Sequence, residues 1–300
     1  MAWIARGLRN GVLTTAYPRR RDDYADEFAG GVAVRRPQDP DRSLSKDSDQ
    51  QRRPLPPCPT GAIGRDRDGF PWIDRGRCIL CGRCTDDQPD RFVWQRGSEV
   101  AVASRRELLS DFPESAPPTE LDDVDAIRRA LAQRTRRFRR SLMIRHVDLG
   151  SDGSEEWEIA ALVNPVYDIH RLGLYFTTSP RHADLLMITG AGSRAMRESL
   201  RRTVEATSRP YVVMAVGTDA ISGGMITPAV EVTRGKPHAI DPVPTYAASG
   251  GIASGGIAPG VPADVLVPGS PPSPFMILSG LLLATNRLTR QQPRPSGGRS

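Results

Sequence analysis

Cys78, Cys81 and Cys84 stand in "RCILCGRC" at the C-x2-C-x2-C spacing that lays three thiolates over one face of an iron–sulfur cube. A cube takes four thiolates. In the full bacterial-type run a fourth cysteine follows after three more residues and precedes a proline. Here that position is Gln88, before Pro89. The one remaining cysteine, Cys58, precedes Pro59 in "PPCPTGAI". Where two such runs share a protein, the cysteine before proline in each serves the other run's cluster. Cys58 therefore reads as the last member of an upstream run and as the fourth ligand for Cys78, Cys81 and Cys84.

Counting back from Cys58 at the same spacing gives Ser48, Gln51 and Pro54. Together with Gln88 these are the places where a second cluster's ligands should stand, and none is a thiol. Amide, hydroxyl and proline do not replace a soft thiolate. One ligand set is complete and the other wholly lost, so the expectation is one [4Fe–4S] cluster on Cys58, Cys78, Cys81 and Cys84. The alternatives are a structural zinc ion or four free thiols. Zinc sites more often use two C-x2-C pairs and give Pro59 no role.

The elements that position these residues follow from the rest of the chain. Its 300 residues, 38% hydrophobic, suffice for a medium domain and a small one. The net charge is +6, yet only Lys46 and Lys236 among 41 basic residues are lysine. That bias, without an aromatic-studded groove or helix-turn-helix pattern, argues against nucleic acid. "MAWIARGLRNGVLTTAYPRRR" lacks the continuous apolar core of a secretory signal. The apolar stretch Phe275 to Ala284 is broken by Ser279 and Gly280 and falls far short of the ~20 residues that span a bilayer. A cytoplasmic location follows as an expectation, with cysteines as ligands rather than disulfides.

Apolar "AI" and "PWI" segments beside glycine turns predict short strands around the cysteine loops. Residues 111–126 are rich in proline and acid and read as linker. "RRALAQRTRRFRR" (128–140) is a basic helical stretch. It suits either an acidic partner or lipid, or a solvated connector anchored by Ile127, Leu131 and Phe138. Beyond it, "SLMIRHVDL", "LYFTT", "DLLMIT", "YVVMAV" and "DVLV" predict strands, and "EEWEIAALV", "SRAMRESLRRTVEAT" and "PFMILSGLLLATNRL" predict helices. Near-continuous apolar strands alternating with helices predict an α/β fold with a doubly covered parallel sheet. "GAGSRA" (190–195) fits a dinucleotide turn or simply a tight strand–helix turn; no acidic residue follows at the distance a ribose would need.

Residues 1–110 resemble the ferredoxin-type subunit of formate hydrogenlyase and related membrane-bound hydrogenases, through "RGLRNGVLTTAYP", "CPTGAI", "GRCILCGRC" and "SEVAVASRREL". Residues 141–290 resemble the small subunit of energy-converting [NiFe] hydrogenases and the homologous subunit of NADH–quinone oxidoreductase (complex I). The carrying residues are "HVDLGS", "EIAALVNPVYDIHRLGLYFTTSPRHADLLMITG", "AVGTDAISGG" and "VPGSPPSP". These resemblances imply a small α+β ferredoxin-like domain (1–110), a linker with basic helix (111–140), a flavodoxin-like doubly wound domain (141–290) and a disordered tail (291–300). They also imply a hydrogenase-like or complex I-like large subunit and integral membrane subunits as partners, at the inner face of the cell membrane.

The second family holds a cluster on four cysteines in the loops after its strands. The matching positions here are Asp152, Glu155, Asp219 and Ser270; the complex I register gives Ser154 and Glu155 for the first two. Three outcomes are open for that vacated site: a polar pocket, a hard cation on oxygen ligands, or a cluster on oxygen ligands. Softness argues against the last, and an arginine or water-filled polar pocket is preferred. The reading is an electron-transfer or structural subunit without a catalytic site of its own, the alternative being a non-redox scaffold whose cluster is structural. His146, His170, His182 and His238 are expected to be structural. Arg181 and Asp184 are expected to fix a loop or meet the large subunit. Glu158 matches a family glutamate near the cluster and reads either as a proton carrier or as a solvated helix residue.

Overall fold

The computed structural model describes residues 2–20, 22, 24, 27–35, 53–66, 69–110, 124–138, 140–226, 256–258 and 261–288. Ser48, Gln51, His238, most of the linker and the tail 291–300 lie outside them.

The first half runs α1 (Ala2–Asn10), β1 (Ala29–Val34), β2 (Ile63–Arg65), β3 (Pro71–Asp74), α2 (Arg83–Asp87), β4 (Phe92–Arg96) and β5 (Leu109–Ser110). β1 pairs antiparallel with β4, and β2, β3 and β5 form a second antiparallel sheet. A small core of Val32, Ile73 and Phe92 lies between them, with Cys78 and Cys84 packed against it. The predicted "AI" and "PWI" strands are present. β1, "AGGVAV", carries two glycines and too little apolar pattern to signal itself.

The second half continues α3 (Val124–Arg134), β6 (Leu142–Asp148), α4 (Ser154–Ala161), β7 (Leu174–Phe176), β8 (Leu185–Thr189), α5 (Arg194–Ala206), β9 (Val212–Val216), α6 (Gly217–Ser222), β10 (Gly256–Ala258), β11 (Val261–Pro262), β12 (Val265–Val267) and α7 (Pro274–Ala284). Five parallel strands lie in the order β12-β9-β8-β6-β7. Counted from β6 this is 2-1-3-4-5, the flavodoxin-like doubly wound order. The continuous apolar runs have a direct cause. Leu185 and Met187 of β8 face one core while Leu186 and Ile188 face the other, so both faces are buried.

The first half also enters these cores. Tyr17, Val100 and Ala103 join one and Val102 and Leu108 the other. Val102 exchanges backbone hydrogen bonds with Leu266 at the β12 edge. The basic connector is anchored rather than free: Leu131 and Phe138 are buried and Arg134 pairs with Asp264.

Candidate functional site

Two loops bring the four cysteines together. Cys58 follows the "PLPP" approach to β2, Cys78 and Cys81 lie on the turn from β3 into α2, and Cys84 lies in the first turn of α2. All four line one pocket with Val32, Ala62, Ile63, Ile73 and Ile79. The Ala62 amide donates to the Cys58 sulfur at 3.2 Å. Burial pushes the Cys78 thiol up to about 12, with the neighbouring cysteines adding to the shift, and burial also raises Cys84. A thiolate set in this apolar shell needs positive charge to balance it. Among the described residues no group of three or more His, Cys, Asp or Glu side chains is arranged to hold a metal ion. All four cysteines border the same cavity. That donor set and its apolar lining are of the chemistry that would hold an iron–sulfur cluster.

Of the positions read as a lost second cluster, Pro54 and Gln88 are described, and they touch. The Gln88 side-chain amide donates to the Pro54 carbonyl at 3.0 Å, and its oxygen accepts from Arg91 at 2.8 Å. Gln88 and Arg91 are both buried. A hydrogen-bonded amide and guanidinium thus join the two segments at this place.

The second constellation lies at the carboxyl ends of the strands, where loops of a doubly wound sheet gather function. Asp152 and Glu155 follow β6, Asp219 follows β9 and Ser270 follows β12. The three carboxylates are within electrostatic reach of one another: Asp219 and Asp152 both act on Glu155, and Asp152 acts on Asp219. Ser270 sits one residue beyond Gly269, whose carbonyl accepts the Thr218 amide at 2.7 Å. Glu155 is only 1% exposed, and desolvation pushes its carboxyl up to about 7. Burial likewise raises Asp219, whereas Asp152, exposed and hydrogen-bonded to Ser154, is lowered. Ser154 also donates to Glu155 at 3.2 Å. A proton retained on Glu155 relieves the repulsion among these carboxylates, a physical consequence of burying one carboxyl beside two others. A side chain at Gly217, which has positive φ, would run into the Glu155 carboxylate.

The dinucleotide reading of "GAGSRA" has a simpler replacement. A Cβ on Gly190 would lie 2.6 Å from the Gly150 carbonyl carbon and 2.7 Å from the Ser151 nitrogen, so the glycine lets two loops meet. Ser193 caps α5. His146 hydrogen-bonds Thr189 at 2.9 Å, and Thr189 donates to Glu156 at 2.6 Å. Burial lowers the imidazole's pKa despite that carboxylate. His170 stacks on Tyr175, and His182 is exposed. Asp184, just before β8, accepts the amide of Met143 in β6 at 2.9 Å; Arg181 is exposed. Glu158 is half-buried and its carboxyl is raised by burial.

Sequence reasoning missed Thr218. Its hydroxyl donates to the Cys78 carbonyl at 3.1 Å and ties the cysteine loop to the helix that carries Asp219. A threonine in "AVGTDAISGG" carries no signal for a partner 140 residues away.

The sequence profile of the NADH ubiquinone oxidoreductase, 20 Kd subunit, family matches residues 153–284. A probable membrane-bound hydrogenase subunit mbhJ of Pyrococcus furiosus is 31% identical over 164 residues, 55% of this chain and 86% of that protein. The chain belongs to this 20 Kd subunit family. Formate hydrogenlyase subunit 7 of Escherichia coli (strain K12) is 30% identical over 61% of this chain, which spans only 64% of that relative's length. An NADH-quinone oxidoreductase subunit of Desulfovibrio desulfuricans is 32% identical over 43% of this chain and 58% of its own. The 20 Kd subunit match starts at Gly153. It therefore takes in Glu155, Asp219 and Ser270, begins one residue after Asp152, and leaves the four cysteines outside.

Proposed function

We propose that the chain is a subunit of a membrane-associated complex I-like or hydrogenase-like oxidoreductase, and that it carries one [4Fe–4S] cluster on Cys58, Cys78, Cys81 and Cys84. The carrying observation is the single pocket lined by all four thiols, two loops apart in sequence. When bound, the cluster supplies one-electron transfer. The chain's own residues hold it, exclude water with Val32, Ile63, Ile73 and Ile79, and tie its loop to the sheet through Thr218. The relatives' names, a membrane-bound hydrogenase subunit, a formate hydrogenlyase subunit and a quinone oxidoreductase subunit, favour a large subunit and integral membrane subunits as partners. Among the described residues no helix is long and apolar enough to cross a membrane, which suits a peripheral position.

A second reading is favoured by the buried Glu155 beside Asp219. With carboxyls at three of the four positions matching the family's ligands and a serine at the fourth, the second half serves as scaffold, and the remaining cluster stabilises the first. Purification of the native complex from its membranes, with partner identification and redox titration, separates these readings. The redox reading expects a large subunit and membrane subunits with a cluster that the assembled complex reduces and reoxidises. The scaffold reading expects the same partners and a cluster that stays in one state. A monodisperse monomer without partners overturns both.

A further inference from the structure

α1 is an amphipathic helix whose side chains lie open to solvent among the described residues. Every residue from Trp3 to Leu13 is exposed, Trp3 by 77%, Leu8 by 81% and Val12 by 90%. A Cβ added at Gly7 or Gly11 would meet no atom within 4 Å. A helix of nine residues is marginal in water without a surface to pack on. At helical spacing Trp3, Ile4 and Leu8 share one face, and Arg6 and Arg9 the opposite one.

Charge and anchorage say what that surface is. From Ala2 to Arg21 the sequence holds Arg6, Arg9, Arg19, Arg20 and Arg21 and no acidic residue. The segment is fixed to the fold just behind α1. Thr14 donates to the Pro165 carbonyl at 2.7 Å, the Thr15 amide to the Val166 carbonyl at 2.8 Å, and Tyr17 is buried in the sheet's core. That anchor leaves Val12, Leu13, Val163 and Val166 exposed around it. A tryptophan-bearing apolar face, backed by arginines and unaccompanied by acid, matches an anionic bilayer surface: the apolar side chains enter the acyl boundary and the guanidinium groups reach the headgroup phosphates.

We propose that α1 lies in the headgroup layer of an anionic membrane and is this chain's own lipid contact. This contact extends the membrane-associated reading above; vesicles contain no partner subunit, so the two stand or fall separately. The test is co-sedimentation of the anaerobically reconstituted full chain with phosphatidylcholine vesicles, with and without phosphatidylglycerol. Wild type is expected to partition at least about tenfold more strongly onto the anionic vesicles. Trp3→Ala with Leu8→Ala, which leaves every arginine in place, should weaken that binding about tenfold or more. Arg6→Gln with Arg9→Gln should remove most of the preference for anionic lipid. All four side chains are exposed, so circular dichroism and visible absorbance should be unchanged. Equal binding to both vesicles, no binding by wild type, or wild-type binding by the Trp3/Leu8 variant overturns the proposal. Burial of α1 only when an integral membrane subunit is supplied also overturns it.

Discussion

Glu155 is a carboxyl that burial and neighbouring charge both push upward. In the fold its carboxyl holds a proton up to about pH 7, against an ordinary value of 4.5. Folding therefore takes up a proton between these values. Stability falls as pH rises through that window, carries the full penalty above it and none below. Glu155→Gln should leave stability nearly unchanged at pH 4 and raise it at pH 8 by up to about 3 kcal/mol. Denaturant unfolding of both proteins at the two pH values measures this, and a pH-independent difference would contradict it. Gln88 offers a second check. Gln88→Leu removes the acceptor for a buried arginine and the donor to Pro54, and should cost about 1–3 kcal/mol by the same measurement.

Elements position the residues, and most of them were legible. "LLMIT" and "VVMAV" announce buried strands because both faces of β8 and β9 are covered. β1 was not legible, since Gly30 and Gly31 erase its alternation. For the candidate site, residue types and spacing pointed to the cysteines, and the family resemblance pointed to the carboxyl positions. The contacts that bind them into the fold were not visible. Thr218 to Cys78 and Gln88 to Pro54 depend on loops distant in sequence. Thr218→Val keeps shape but leaves the Cys78 carbonyl without its donor. It should cost about 1 kcal/mol and speed amide exchange in residues 78–84 while leaving β8 protected. Unchanged exchange in that loop would show that the hydroxyl does not hold it.

At the scale of the molecule, a doubly wound sheet carries carboxyls at its strand ends, and a small two-sheet unit packed onto it carries four thiols around one pocket. α1 leaves its apolar face, Trp3, Ile4 and Leu8, exposed. The account turns on Cys58 completing the ligand set of a run that lacks its own fourth cysteine. The most direct measurement is iron and acid-labile sulfide per chain after anaerobic reconstitution, for wild type and Cys58→Ala side by side. One cubane requires about four of each in the wild type, and Cys58→Ala should lose them as fully as Cys81→Ala. A full cubane in Cys58→Ala, or one zinc and no iron in the wild type, would contradict the account.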